Sequence, residues 1–284
     1  MKKVTIPASH CLQAASCNFR REGCTLFRMM TAAREKDLIN AADLLLDARR
    51  TGKPVADLPK ELQPTTLDEA YYIQDRMSWA YEEVGGWKVG APSPEATPSF
   101  APMPKAWISC SGCELRGLAH RYRGLEAEIA FHVGSDLPPR DQPYSREEVV
   151  AALASMHPAI EVLETAFGDP ARAAKLSCAA DLAMHGGFVY GDAVPGWQSI
   201  DFSKERVSLT VDGTVRVEQV GSNTAGDLMR LLPWLANEGS ARTGGLRAGD
   251  WITTGSWTGN TIATAGSTAE ARFATAGRVT LRFE

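Results

Sequence analysis

From Asp37 to Arg50, the residues Leu38, Ala41, Ala42, Leu45 and Ala48 recur at the spacing of one helical face, and Gly52 and Pro54 end the pattern. A second helix is predicted at "TLDEAYYIQDRM", where Thr66 and Glu69 stand at capping-box spacing and the aromatic residues serve packing. The stretch "EEVGGWKVGAPSPEATPSFAPMPKAW" then turns to Gly, Pro and Ser, as expected of a long connection into a β-rich body. "GLEAEIAFHV", residues 124–133, alternates as a strand does. Glu126, Glu128, Ala130 and His132 share one face, and Leu125, Ala127, Ile129, Phe131 and Val133 share the other. "SREEVVAALASM" predicts a third helix, opened by a capping box from Ser145 to Glu148, with "PAIEVLE" the strand after it.

Further on, "VSLTVDGTVRVEQV" alternates around Asp212 and Gly213, a two-residue hairpin signal. "TAGDLMRLLPWLANEG" reads as a helix closed near Gly239 and kinked by Pro233. "DWITTGS", "AEARFA" and "RVTLRFE" supply short C-terminal strands. Nothing repeats at a fixed period, and strands and helices alternate too irregularly for a barrel of βα units. The expected class is α+β. Residues 1–30 are expected to form a flexible N-terminal extension, 31–95 a helical segment and 96–284 the main body.

Composition adds limits more than direction. With 284 residues, 44% hydrophobic, 23% charged and a net charge of -4, the chain reads as an ordinary globular protein with no basic excess for nucleic acid. No apolar run approaches the roughly 20 residues of a membrane span. The start, "MKKVTIPASHCLQAAS", mimics a secretory leader, but Pro7, His10 and Gln13 interrupt its apolar part, so none is expected. Met29 and Met30 lie just before the first helical pattern. Cys11, Cys17 and Cys24 fall in the extension, Cys178 stands alone, and Cys110 with Cys113 forms a CxxC that lacks the second pair zinc needs. Reduced cytosolic thiols are expected.

Two glutamates side by side on one strand face repel unless a cation or a proton intervenes. Hard divalent ions take oxygen ligands, and an E-x-E strand offers two carboxylates toward one point, although a solvated strand face explains the same pattern. The metal reading needs a third ligand. Glu161 is the candidate because it interrupts an apolar run, Glu164 is the weaker competitor, and His157 is read as packing. Lys88 lies among glycines in "GGWKVGAPS" and could hold an anion or move a proton; alone it reads as a surface lysine in a turn. Asp181 in "CAADLAMHGG" reads by default as a cap or turn residue. The turn in "GDWITTGSWTG" could aim N–H groups and the hydroxyls of Ser256 and Thr258 at a carboxylate; it has neither a P-loop lysine nor a GxGxxG.

Taken in order, "GWKVG", "LEAEIAF", "PAIEV", "AD" and "GDWITTGSWTG" resemble segments of the fumarylacetoacetate hydrolase superfamily. "AYYIQDRM" and "WLANEG" resemble, more narrowly, its branch of 2-keto-4-pentenoate hydratases and 4-oxalocrotonate decarboxylases. The resemblance runs from about Asp37 to Glu284. It implies a layered mixed β-sheet body, Glu126, Glu128 and Glu161 as ligands of Mg²⁺ or Mn²⁺, and Lys88 and Asp181 as catalytic residues. It also places Lys88, Thr254, Gly255, Ser256, Thr258 and Gly259 near a substrate carboxylate, in a cytoplasmic homo-oligomer that can associate with a partner pathway enzyme.

The implied activity is hydration of a 2-hydroxydienoate or 2-oxo-enoate in aromatic catabolism. A 2-oxo acid can chelate a divalent ion, which stabilises the enolate formed when the adjacent carbon loses a proton or a carboxyl group. A decarboxylase or an acylpyruvate hydrolase would use the same electron sink, and a non-catalytic paralogue that binds metal or a partner enzyme is the alternative of another class. Two departures bear on the substrate. "EVLETAF" replaces a family pattern such as "EIIDSR", which removes an arginine, and Leu182 follows Asp181 where the family reads "ADN".

Overall fold

The computed structural model describes residues 30–81, 83–116 and 120–284. The expected extension, apart from Met30, and its three cysteines lie outside the described residues. Helix α1 (Ala32–Thr51) begins where the Thr31 hydroxyl accepts from the Arg34 N–H and stops at Gly52, left-handed at φ 65°. It starts earlier than its apolar spacing marks, because its first turn carries no core residue. Helix α2 (Leu67–Trp79) has half of the expected capping box. The Thr66 hydroxyl accepts from the Glu69 N–H, but the Glu69 carboxylate turns to the Thr65 N–H and to Arg34.

The remaining order is β1 (Val84–Gly90), β2 (Ser99–Pro104), β3 (Ile108–Cys110), β4 (Cys113–Leu115), β5 (Gly124–Val133), α3 (Arg146–Ala151), β6 (Leu153–Leu163), α4 (Lys175–Ala180), β7 (His185–Tyr190), β8 (Arg206–Val211), β9 (Thr214–Val220), α5 (Leu231–Trp234), α6 (Ser240–Thr243), β10 (Trp251–Thr253), β11 (Thr261–Ile262), β12 (Thr268–Phe273) and β13 (Gly277–Phe283). The larger sheet runs β2-β1-β10-β5-β6-β7-β3, with β11 added to β5, and the smaller runs β4-β13-β12-β8-β9. Both are mixed: β1 lies parallel to β10, β3 to β7 and β4 to β13, and the other neighbours are antiparallel.

The apolar face of β5 explains how the sheets meet. Leu125, Ala127, Ile129 and Phe131 share one buried cluster with Leu209, Val211, Ala269, Phe273, Leu281 and Phe283 of the smaller sheet. A second cluster joins α1 and α2 to Ala166, Phe167, Ala180 and Leu182. Neither face of β5 is a solvated surface: only Glu126 and His132 retain partial exposure.

Three expectations change. "SREEVVAALASM" is helical only to Ala151, and its last residues belong to β6, which pairs with β5 along nearly all of its length. The ladder outweighs the helical propensity of "LASM". The "TAGDLMRLLPWLANEG" run is a chain of short pieces, 3₁₀ at Leu228–Arg230, α5 and a π turn at Leu235–Gly239, with α6 following it past the expected end at Gly239, since Pro233 has no N–H to continue one ladder. Val84–Gly90 is a strand of the main sheet, although it falls in the stretch expected to be helical. Asp212 and Gly213 do form the hairpin between β8 and β9, both at positive φ (51° and 75°) as a tight turn requires. Cys110, Cys113 and Cys178 carry free thiols.

Candidate metal centre and active site

The register of β5 against β6 creates the charge problem. Glu126 faces Glu161 directly across the ladder, and Glu128 follows on the same face. Like charges so placed destabilise a sheet. Ligand oxygens of Glu126, Glu128 and Glu161 all lie within 4.8 Å of one another. Glu128 and Glu161 are each 1% exposed, and Glu126 is half-buried.

Partners fix each carboxylate differently. Glu128 Oε2 accepts from the Thr253 hydroxyl and, at 2.9 Å, from the Gly255 N–H. Gly255 sits at φ 84°, a conformation that glycine adopts freely and that turns this N–H back toward β5. Glu161 Oε1 receives the Lys88 ammonium at 2.6 Å and His185 Nδ1 at 2.9 Å. Lys88 Nζ also donates to the Ala183 carbonyl at 3.0 Å. Lys88 reaches this point from β1 because β1 lies beside β10, with Lys88 in register with Thr253. The neighbouring Gly86 is required by a close approach, since a Cβ there would lie 2.2 Å from the Trp251 carbonyl oxygen.

The electrostatics follow from this packing. Burial, reinforced by the Glu161 and then the Glu126 charge, drives the Glu128 carboxyl well above its usual range. Glu126 is raised by burial and then by Glu161. Burial also opposes the charge of Glu161, but Lys88 and His185 outweigh it and hold this carboxyl down to about 2. Burial opposes the Lys88 charge too, and the glutamates, Glu161 first, more than restore it, so Lys88 is firmly cationic. His185 is pushed down by burial, which makes it a neutral ring donating Nδ1–H to Glu161. The donor set is three hard oxygens carrying more negative charge than one lysine offsets. These residues fit a divalent cation of the Mg²⁺, Mn²⁺ or Ca²⁺ type.

A cavity of about 250 Å³ opens over the cluster, lined by Lys88, Val89, Gly90, Glu126, Glu128, Glu161, Thr224, Gly255 and Ser256. The Ser256 side chain lines it beside Glu126, and its hydrogen bond to that carboxylate partly offsets the upward push of burial. Other sequence candidates sit outside it. Thr254 donates its hydroxyl to the Ile129 carbonyl, and Thr258 accepts from the Ala127 N–H, so both pin the turn to β5, and Gly259 (φ 65°) shapes that turn. Asp181 is fully buried, with its carboxylate taken by Arg49, the Thr165 hydroxyl and the Ala166 N–H. Glu164 lies beyond the ladder and accepts from the Arg121 and Tyr122 N–H groups. His157 packs against Trp251 and bonds to Ser155 and the Gly191 carbonyl. Thr253, Thr224 and His185 were missed. Thr253 stands one residue before the candidate turn, and His185 four after Asp181, but only the register brings them to the carboxylates.

No family model matches the sequence. A 2-keto-4-pentenoate hydratase of Paraburkholderia xenovorans (strain LB400) is 28% identical, over 76% of this chain and 83% of that protein. The fold superposes on 4-oxalocrotonate decarboxylase from Pseudomonas putida G7, solved with magnesium and adipate, at a TM-score of 0.78 and 21% identity, over 89% of this chain and 99% of that one. The chain is similar in sequence to this hydratase and shares its fold with the decarboxylase. A protein from Yersinia pestis CO92 assigned to the fumarylacetoacetate hydrolase family shares the fold more loosely, with a TM-score of 0.51 over 71% of this chain and 93% of that one, at 18% identity.

Proposed function

We propose that the chain is a divalent-metal-dependent hydratase, a carbon–oxygen lyase that adds water to a 2-hydroxydienoate or 2-oxo-enoate in aromatic-compound catabolism. The observation that carries this reading is the buried Glu126–Glu128–Glu161 cluster opening with Lys88 into a small cavity. Glu126, Glu128 and Glu161 would hold Mg²⁺ or Mn²⁺. When bound, the ion supplies a Lewis acid for the carboxylate and 2-oxo oxygens of the substrate.

Every other step falls to the chain. Lys88 is held cationic by the glutamates, so it serves as an anchor for the substrate carboxylate and as a proton donor, not as a base. The Ser256 side chain, which lines the cavity beside Glu126, is the second group for the substrate carboxylate. Asp181 acts by holding structure and does not touch the substrate. In the net reaction the 2-hydroxyl loses its proton, C5 gains one, and water then supplies a hydroxyl to C4 and a proton to C3. Val89 and Gly90 leave one wall apolar or bare and limit water there.

Charge favours a monocarboxylate. Three glutamates, Lys88 and a divalent ion sum to zero, so one substrate carboxylate leaves the site at -1 and an oxo-diacid at -2. Lys88 is the only cation among the described residues lining the cavity. This supports the dienoate hydratase over the decarboxylase of an oxo-diacid, which would use the same ligands. The same proposal includes a cytoplasmic homo-oligomer, able to associate with a partner pathway enzyme, and an extension over residues 1–30 ahead of a segment at 31–95 and a body at 96–284 whose sheet also takes in β1 of that segment. No helix among the described residues is long and apolar enough to cross a membrane.

The test is loss of the ultraviolet absorbance of 2-hydroxydienoates with Mg²⁺ present, with products identified. Hydroxy-oxo acid product supports the proposal. Unchanged absorbance, or CO₂ release from oxo-diacids instead, removes it.

A further inference from the structure

Leu182, Ala183 and Met184 follow one another at φ 50°, 48° and 64°. Left-handed backbone is unfavourable for residues with a Cβ, and it occurs singly, not in runs. The other non-glycine residues at positive φ among those described, Arg123 and Asp212, are isolated. Something outside the run must hold it, and the contacts identify Arg49 of α1. Its Nε donates to Asp181 Oδ1 at 2.5 Å, while its two terminal nitrogens donate to the Asp181 and Glu164 carbonyls at 3.0 Å and to the His185 carbonyl at 2.8 Å. One planar guanidinium therefore binds the residue before the run and the residue after it. The Asp181 carboxylate is completed by the Thr165 hydroxyl at 2.9 Å and the Ala166 N–H at 2.7 Å.

The run leads back to the metal centre at two points. The Ala183 carbonyl accepts from Lys88 Nζ at 3.0 Å, and the run ends at His185, whose Nδ1 meets Glu161 Oε1 at 2.9 Å. Relaxation of the run to ordinary backbone would swing the Ala183 carbonyl and the His185 ring away from these partners. Lys88 and Glu161 would lose the contacts that aim them.

We infer that Arg49 is a positioning residue. Through the Asp181 clamp it holds the left-handed run that orients Lys88 and Glu161, so the first helix sets the geometry of the metal centre without touching it. The inference rests on the metal reading of Glu126, Glu128 and Glu161.

The test titrates the full chain with MgCl₂ alone by calorimetry, beside thermal melting, for the wild type, Arg49→Lys, Ala183→Gly and the double variant. Lysine keeps the charge but cannot bind both ends of the run. Arg49→Lys is expected to weaken Mg²⁺ binding by about tenfold, the scale of a lost support behind a metal ligand. In the Ala183→Gly background the loss should shrink to about threefold, because glycine holds a left-handed conformation without the clamp. Equal losses in the two backgrounds, or a lower melting temperature with unchanged Mg²⁺ affinity, would overturn the role of Arg49. Should Arg49→Lys fail to fold, Thr165→Val is read in its place: weakened Mg²⁺ binding supports the clamp, and wild-type affinity in the folded variant overturns it. If the wild type takes up no Mg²⁺, the metal reading itself fails and this inference with it; unaltered affinity in the variants removes only the clamp.

Discussion

Replacing Glu128 by glutamine should make the metal-free protein more stable and the Mg²⁺-loaded protein less so. Both donors to this carboxylate converge on Oε2, from Thr253 and Gly255, so a glutamine carbonyl can accept the same two hydrogen bonds. What the substitution removes is charge. Two carboxylates whose oxygens lie within 4.8 Å of each other repel by at least about 3 kcal/mol at an effective dielectric of about 20. Glu128 faces two such neighbours, and because burial and their charges push its carboxyl upward, taking up a proton can relieve part of the repulsion. A net gain of about 1–2 kcal/mol is expected without metal, or a melting temperature higher by about 2–4 °C. With Mg²⁺ the wild type gains binding free energy that the variant, short of one ligand, cannot match. Melting followed by circular dichroism in EDTA and in saturating MgCl₂ should therefore show the two proteins exchanging rank. If Glu128→Gln lowers the melting temperature equally in both buffers, the carboxylates are an ordinary structural network and the electrostatic reasoning fails.

Lys88→Met should reduce kcat by about 10²–10⁴ while Mg²⁺ binding is kept or tightened, since a competing positive charge is gone; a loss confined to Mg²⁺ affinity would contradict the substrate-side role. Mg²⁺ uptake should release protons and weaken as pH falls, because Glu126 and Glu128 are raised by burial and mutual repulsion and must ionise to bind. Calorimetry in buffers of different ionisation enthalpy measures that release. Away from the site, Glu69 is held down to about 2 by its hydrogen bond to Arg34, from an ordinary 4.5. A depressed carboxyl stabilises the fold above the unfolded value, and that contribution fades as pH drops from 4.5 toward about 2. Arg34→Ala should thus cost about 1 kcal/mol at neutral pH, a modest figure because the pair is partly solvated, and the difference from wild type in denaturant melts should close in acid.

Much of the site was legible because strand geometry is simple. Alternation alone put Glu126 and Glu128 on one face. The choice between Glu161 and Glu164 could not be made that way, since it depends on the partner strand: only the β5–β6 register sets Glu161 opposite Glu126, while Glu164 falls past the ladder and serves the Arg121–Tyr122 backbone. Lys88 read as a turn residue because its flanking glycines suggested one, whereas Gly86 is there to let β1 approach Trp251. Asp181 was visible as a polar residue in an apolar stretch, but its partner Arg49 is 132 positions away and no local pattern links them. The extent of β6 was underestimated because helical propensity in "LASM" yields to pairing with β5. Local periodicity shows which face a residue occupies, and only long-range pairing shows what it faces.

On the proposed function, dienoate hydration depends on a divalent ion held by Glu126, Glu128 and Glu161. Metal-stripped wild type, Glu126→Ala and Glu128→Ala should be assayed on 2-hydroxydienoates by loss of ultraviolet absorbance, with Mg²⁺ added back. The wild type should recover full turnover on Mg²⁺ addition and neither variant should; turnover that survives both stripping and the two substitutions would contradict the claim.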